Sequence, residues 1–222
     1  MKYYESYISI WGKCIMVSRK AKIGLVSTTI IIAAALVTTV LVLGVPPTFD
    51  APSLEFPIVE TDRIDHLRPY GIPDWSGPGT HHNGIDLVIN DSVTIVAPVN
   101  GRIMEISEHK NPHSVNNNVL FNILIKVNYG WDVKLVLEPN YDGDDEASNT
   151  LQRNAIAVSV MQDVKVGDTI AELIYANDGS HLHFMLDNLG TDKCAYAYST
   201  SDSRSIFDNI TINTGDQICI PV

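Results

Sequence analysis

A chain of 222 residues with a formal net charge of −11 has room for one medium domain and an accessory segment, and its acidity argues against nucleic acid or another polyanion as a partner, because phosphate recognition needs clustered lysine and arginine. Ahead of Pro46 the balance reverses, with Lys2, Lys13, Arg19, Lys20 and Lys22 against the single acid Glu5, so the rest is more acidic than the total. None of the three cysteines stands in a Cys-x-x-Cys pair, which excludes the usual zinc-ribbon and thioredoxin-like patterns.

In chain order, residues 1–22 read as a basic N-terminus. Met16 opens a second basic leader, MVSRKAK, so translation from Met16 would leave residues 1–15 without a function. Ile23 to Val45 is an uncharged run long enough to span a bilayer as one transmembrane helix. The basic residues before it leave the N-terminus in the cytoplasm and the bulk of the chain outside. A cleaved signal peptide is the rival reading, but its apolar stretch is usually shorter, about 7–15 residues, and Ala33, Ala34 and Ala35 lie mid-run rather than at a cleavage site. Residues 46–57 read as a proline-rich tether.

Residues 58–222 read as an extracytoplasmic, mainly β domain of short strands between turn residues. Ser92–Ala97 is β-branched and apolar, and Asn100-Gly101 predicts a hairpin into Arg102–Ser107. Between Val119 and Asn128, apolar and polar residues alternate with the period of a half-buried strand. Tyr129-Gly130 then turns the chain into Trp131–Glu138. Tyr141–Asn149 is a polar acidic loop, and further strands are predicted at Ala155–Met161, Thr169–Tyr175 and His181–Leu186. No strong amphipathic helix, repeat or heptad pattern is visible.

Two clusters carry chemistry. On a strand, His181, His183 and Met185 share one face while Leu182, Phe184 and Leu186 share the other, so both imidazoles can face a cleft above an apolar core. Alone, such a pair is as readily two surface histidines. In His82-Asn83-Gly84-Ile85-Asp86, a straight strand would hold the histidine and aspartate about 13 Å apart, whereas zinc donors stand about 2 Å from the metal. The chain must bend between them, and Gly84 tolerates a bend. Together, His82, Asp86 and His183 make the two-nitrogen, one-oxygen donor set of a catalytic zinc site.

These segments resemble the lysostaphin/LytM-type (M23) zinc metallopeptidase family. THHNGIDLVINDSVTIVAPVNGRI is similar to the family's His-x-Gly-x-Asp segment, and VKVGDTIAELI followed by GSHLHFML to its closing portion, over roughly residues 64–190. The resemblance implies an antiparallel β-sheet domain of the duplicated hybrid type, with a groove across one Zn2+ per chain. It implies His82, Asp86 and His183 as metal ligands, His181 as a catalytic histidine, and peptide or cell-wall peptide as substrate. Gly-x-Asp spacing selects His82 over its neighbour His81; His66, His109 and His113 match no motif position and read as loop histidines.

One departure stands out. The family's Tyr-x-His-Leu stretch corresponds to Leu135–Asn140, where Glu138 occupies the place of the expected catalytic histidine. Either Glu138 acts as general base in its stead, or the domain binds zinc and peptide without efficient hydrolysis. By alternation Glu138 lies opposite Leu135 and Leu137 and need not be buried. APVNGRIMEI and VKVGDTIAELI also resemble the biotinyl/lipoyl carrier pattern, a non-enzymatic β module, but the turn Val99–Arg102 lacks the acceptor lysine. Cys194 and Cys219 can form a bridge or remain two thiols.

Overall fold

The computed structural model describes residues 7–10, 13–16, 48–111, 118–212 and 217–222. The run 23–45, read as a transmembrane helix, lies outside them; among the described residues no helix is long and apolar enough to cross a membrane. The chain divides into two compact units, Met1–Gly44 and Val45–Val222. In the first, β1 (Tyr7–Ile10) and β2 (Lys13–Met16) pair antiparallel, structure that a reading as a basic leader did not anticipate.

The second unit is mainly antiparallel β. Its strands are β3 (Ile64–Arg68), β4 (Ile85–Ile89), β5 (Val93–Val96), β6 (Gly101–Lys110), β7 (Val119–Lys126), β8 (Trp131–Glu138), β9 (Asp163–Val164), β10 (Thr169–Leu173), β11 (His181–Asn188) and β12 (Thr191–Lys193). Two helices accompany them, α1 (Glu146–Asn154) and α2 (Ser201–Asn209). An eight-stranded sheet runs β3-β4-β11-β8-β7-β6-β9, with β12 added beside β11, and β5 pairs separately with β10.

Register converts side-chain alternation into two unlike faces. Leu67, Leu87, Leu182, Leu137 and Phe121 form one row across five neighbouring strands, and Ile85, Phe184, Leu135 and Ile123 form the next. All are essentially inaccessible to solvent, each contributing about 1.5–3 kcal/mol of burial. The opposite face carries Arg68, Asp86, His183 and Val136 in one row, and His66, Val88, His181 and Glu138 in the adjacent one. An apolar core on one side therefore fixes polar groups from four strands on the other.

Several expectations are corrected. Asn100-Gly101 does not close a hairpin, since β5 pairs with β10 while β6 pairs with β7 and β9. Turn residues specify a reversal, not the partner; here the Asn100 side-chain carbonyl accepts from the Val166 amide at 2.8 Å. The acidic stretch read as a loop continues into α1, where the Asp145 carboxylate caps the Ala147 and Ser148 amides. That helix escapes a search for an apolar stripe because its inward residues, Asn149 and Gln152, are polar. Gln152, fully buried, donates to Glu172 O at 2.8 Å and accepts from the Ile174 amide at 3.0 Å. The strand expected at Ala155–Met161 is absent, apart from one bridge between Ile156 and Ala171.

The stretch read as a tether also packs. Leu54 and Phe56 are buried, the Leu54 amide donates to Tyr198 O at 2.9 Å, and the Trp131 indole donates to Phe49 O at 2.9 Å. Phe56 meets Phe207 of α2 edge-on at 4.8 Å. Prolines exclude a helix there, but they leave apolar neighbours free to dock.

Candidate metal centre

β4 and β11 are neighbours with Asp86 opposite His183, so the sheet itself brings two donors together from positions 97 residues apart. The third, His82, arrives from the bend before β4. Its Nε2 lies 3.0 Å from Asp86 Oδ1 and 3.2 Å from His183 Nδ1, and His183 Nδ1 lies 2.6 Å from the same oxygen. Donors held tetrahedrally about 2.0–2.1 Å from zinc stand roughly 3.3 Å apart, so the Asp86–His183 pair would have to open by about 0.7 Å and the His82–Asp86 pair by about 0.3 Å.

The far nitrogens of both rings are committed elsewhere. His82 Nδ1 donates to Pro69 O at 2.6 Å, and His183 Nε2 donates to Asn83 Oδ1 at 3.2 Å. These bonds hold both rings so that the inner nitrogens, His82 Nε2 and His183 Nδ1, which hydrogen-bond Asp86 Oδ1 here, are the ones that would give up a proton to a metal. Two such nitrogens and a carboxylate oxygen converging in this way fit a divalent cation. His82 and Asp86 are buried and His183 is partly so.

Gly84 serves the site differently from expectation. The backbone does bend there, but the glycine is required by closeness: a Cβ would stand 2.7 Å from His183 Cε1, 2.8 Å from Nε2 and 2.9 Å from Phe184 O.

His181 flanks the triad. Its Nδ1 donates to Gly179 O at 2.7 Å, and its Nε2 stands 3.5 Å from Glu138 Oε2 and 3.7 Å from Asp86 Oδ2. Burial by itself would lower the His181 pKa, but the Asp86 charge, the Glu138 carboxylate and the Gly179 carbonyl outweigh it and raise it to about 9 in the metal-free protein. For Asp86, burial acts upward, and the His181 charge with hydrogen bonds from His183 and His82 more than offsets it, keeping the carboxyl well below its usual range.

Glu138 pairs with His181 across β8 and β11, on the face opposite Leu135 and Leu137. It is only 8 % exposed, contrary to the expectation that it need not be buried. Alternation assigns a face but cannot tell whether that face is covered, and the last four residues of β8 are buried on both sides.

Of the other histidines, His81 stands outside the triad, its ring 5.8 Å from Tyr70 and its Nε2 4.0 Å from Asp192. His66 and His109 sit on strands β3 and β6, not in loops, and His113 lies outside the described residues. Three neighbours of the centre were not singled out from sequence. Arg68 Nη1 donates to Asp86 Oδ2 at 3.3 Å, Asn83 orients His183, and the Trp75 ring lies 4.4 Å from His82. Asn83 was legible in principle, as it falls inside the His82–Asp86 motif; Arg68 and Trp75 carry no local signal.

Fold and site together define a mainly antiparallel β domain with a convergent two-histidine, one-aspartate centre. No protein-family profile matches the chain, and no curated protein matches it. Among solved structures, it is similar to a zinc-containing peptidase from Vibrio cholerae, with 16 % identity and a TM-score of 0.45, covering 64 % of this chain and 39 % of the other. It is also similar to Helicobacter pylori Csd3, with 19 % identity, a TM-score of 0.44, and coverage of 68 % and 36 %. Lysostaphin aligns at 15 % identity and a TM-score of 0.42, over 79 % of this chain and 61 % of its own length. The chain thus spans less than two thirds of each.

Proposed function

We propose that this chain is an M23-like zinc metalloendopeptidase, anchored in the membrane by residues 23–45 and acting outside the cytoplasm on peptides, those of the cell wall included. The observation that carries the proposal is the convergence of His82 Nε2, Asp86 Oδ1 and His183 Nδ1. When bound, zinc supplies a Lewis acid that polarises a peptide carbonyl and acidifies water. His181 and Glu138 supply the proton chemistry. The Glu138 carboxylate would accept a proton from the attacking water and return it to the amine nitrogen as the C–N bond breaks, while His181 Nε2, 3.5 Å from it, would donate a hydrogen bond to the carbonyl oxygen that gains charge. The disulfide between Cys194 and Cys219 suits an oxidising, extracytoplasmic location.

The purified full chain is expected to hold one zinc per molecule, and Asp86→Ala or His183→Ala to reduce that stoichiometry to near zero by atomic emission. A variant retaining full zinc would contradict the assignment. With metal in place, glycine-containing peptides and sacculi should be cleaved, and Glu138→Gln or His181→Ala should lower kcat by about 10²–10⁴-fold.

A second reading is favoured by Glu138 standing where the family's histidine is expected: a zinc- and peptide-binding regulatory module without turnover. Stoichiometric zinc with peptide binding and no cleavage by the wild type would select it. The carrier reading draws no support from the Val99–Arg102 turn, where Asn100 is engaged by Val166 and Arg102 by Asp163.

A further inference from the structure

We propose that Arg68 is the anion-recognition residue of the metal cleft and that the preferred ligand is a peptide carrying a carboxylate, on a side chain or at a terminus, on the residue beside the bond held at the metal; this rests on the zinc-site reading above. Arg68 ends β3 and lies directly opposite Asp86, on the same sheet face as the triad. It is part-buried, with a quarter of its side chain accessible. Its one hydrogen bond, 3.3 Å to Asp86 Oδ2, occupies a single N–H of a group with five donors in a fixed fork. Among the described residues the remaining donors have no acceptor.

Ion pairing with Asp86 does not account for this residue. Asp86 already faces His82, His183 and His181, and a divalent cation in the triad would neutralise it further. A divalent cation together with Arg68 would balance the nearby carboxylates Asp86, Glu138 and Asp192, so the cleft would not share the strong negative charge of a chain whose net charge is −11. His181 and Glu138 flank the triad from the interior strands β11 and β8, whereas Arg68 approaches from the edge strand β3, across β4. Proton-transfer groups and the guanidinium thus occupy separate sides of the centre. A planar fork with unused parallel N–H groups matches a carboxylate in two-point fashion.

The test uses the zinc-loaded full chain with N-acetyl-Gly-Gly and its C-terminal amide as probes, read by calorimetry, with bound zinc measured for every protein. The free acid should bind at least about tenfold tighter than the amide, since charge-assisted paired hydrogen bonds carry that difference. Arg68→Gln should abolish the preference while keeping one zinc, and Arg68→Lys should retain part of it. Equal affinity for acid and amide in the wild type would overturn the proposal, as would a preference that survives in Arg68→Gln, which would show the acid binding the metal directly. Loss of zinc in both Arg68 variants would also overturn it, reducing Arg68 to a support for Asp86. A wild-type chain that bound no zinc would instead sink the metal-site reading itself.

Discussion

Gly84→Ala should cost the protein its proposed metal site. The added methyl would press on the His183 ring, at 2.7 and 2.8 Å from two of its atoms, and on the Phe184 carbonyl at 2.9 Å. Neither neighbour can yield cheaply. Phe184 is fully buried and held in the middle of the sheet between Ile85 and Leu135, so the carbonyl stays and the ring must swing. Its bond to Asn83 then breaks and Nδ1 leaves the converging set. Zinc affinity should fall by roughly 100-fold, the upper range for lost ligand orientation, with about 1–3 kcal/mol of stability lost to overpacking. Competitive zinc titration and urea unfolding read the two effects. Gly84→Ser should be worse than alanine; wild-type affinity in Gly84→Ala would show that the close approach does not constrain the ligand.

Opening the Cys194–Cys219 bond is expected to act on the same centre from a distance. The bridge closes a separation of 25 residues, for which about 3 kcal/mol of stabilisation is typical. It also pins the segment Ile218–Ile220 along Tyr70, whose amide donates to Ile218 O at 3.1 Å and whose carbonyl accepts from the Ile220 amide at 2.9 Å. Tyr70 follows Pro69, the acceptor that orients His82, and the Gly71 amide donates to His82 O at 2.8 Å. The tail therefore braces the backbone that aims His82, one of the three converging donors. A Cys194→Ser/Cys219→Ser protein should unfold about 3 kcal/mol more easily and bind zinc roughly tenfold more weakly. Reduction of the native protein should reproduce both effects. Unchanged zinc affinity alongside the lost stability would show that the brace ends at the tail.

The strands legible in the sequence were those whose two faces differ. Val119–Lys126 alternates buried and half-buried residues along its length, and His181–Asn188 places Leu182, Phe184 and Leu186 in the core. Elements with polar inward faces escaped notice. Helix α1 buries Asn149 and Gln152, which hydrophobic periodicity cannot register. The tether was misjudged for a related reason: Leu54 and Phe56 are too few to show a period, yet the domain offers them a seat.

Local sequence determined which residues could bind a metal, because donor chemistry belongs to side-chain type, and it placed His181 and His183 on one strand face through a period of two. It did not determine that His82 Nε2, Asp86 Oδ1 and His183 Nδ1 would meet, that Glu138 would be covered, or that Arg68 would lie beside Asp86. Those facts belong to sheet order and register. Pairing of β3, β4, β11 and β8 is chosen by the apolar rows on the far face, residues that take no part in the chemistry, and a slip of one position would turn every polar group into the core.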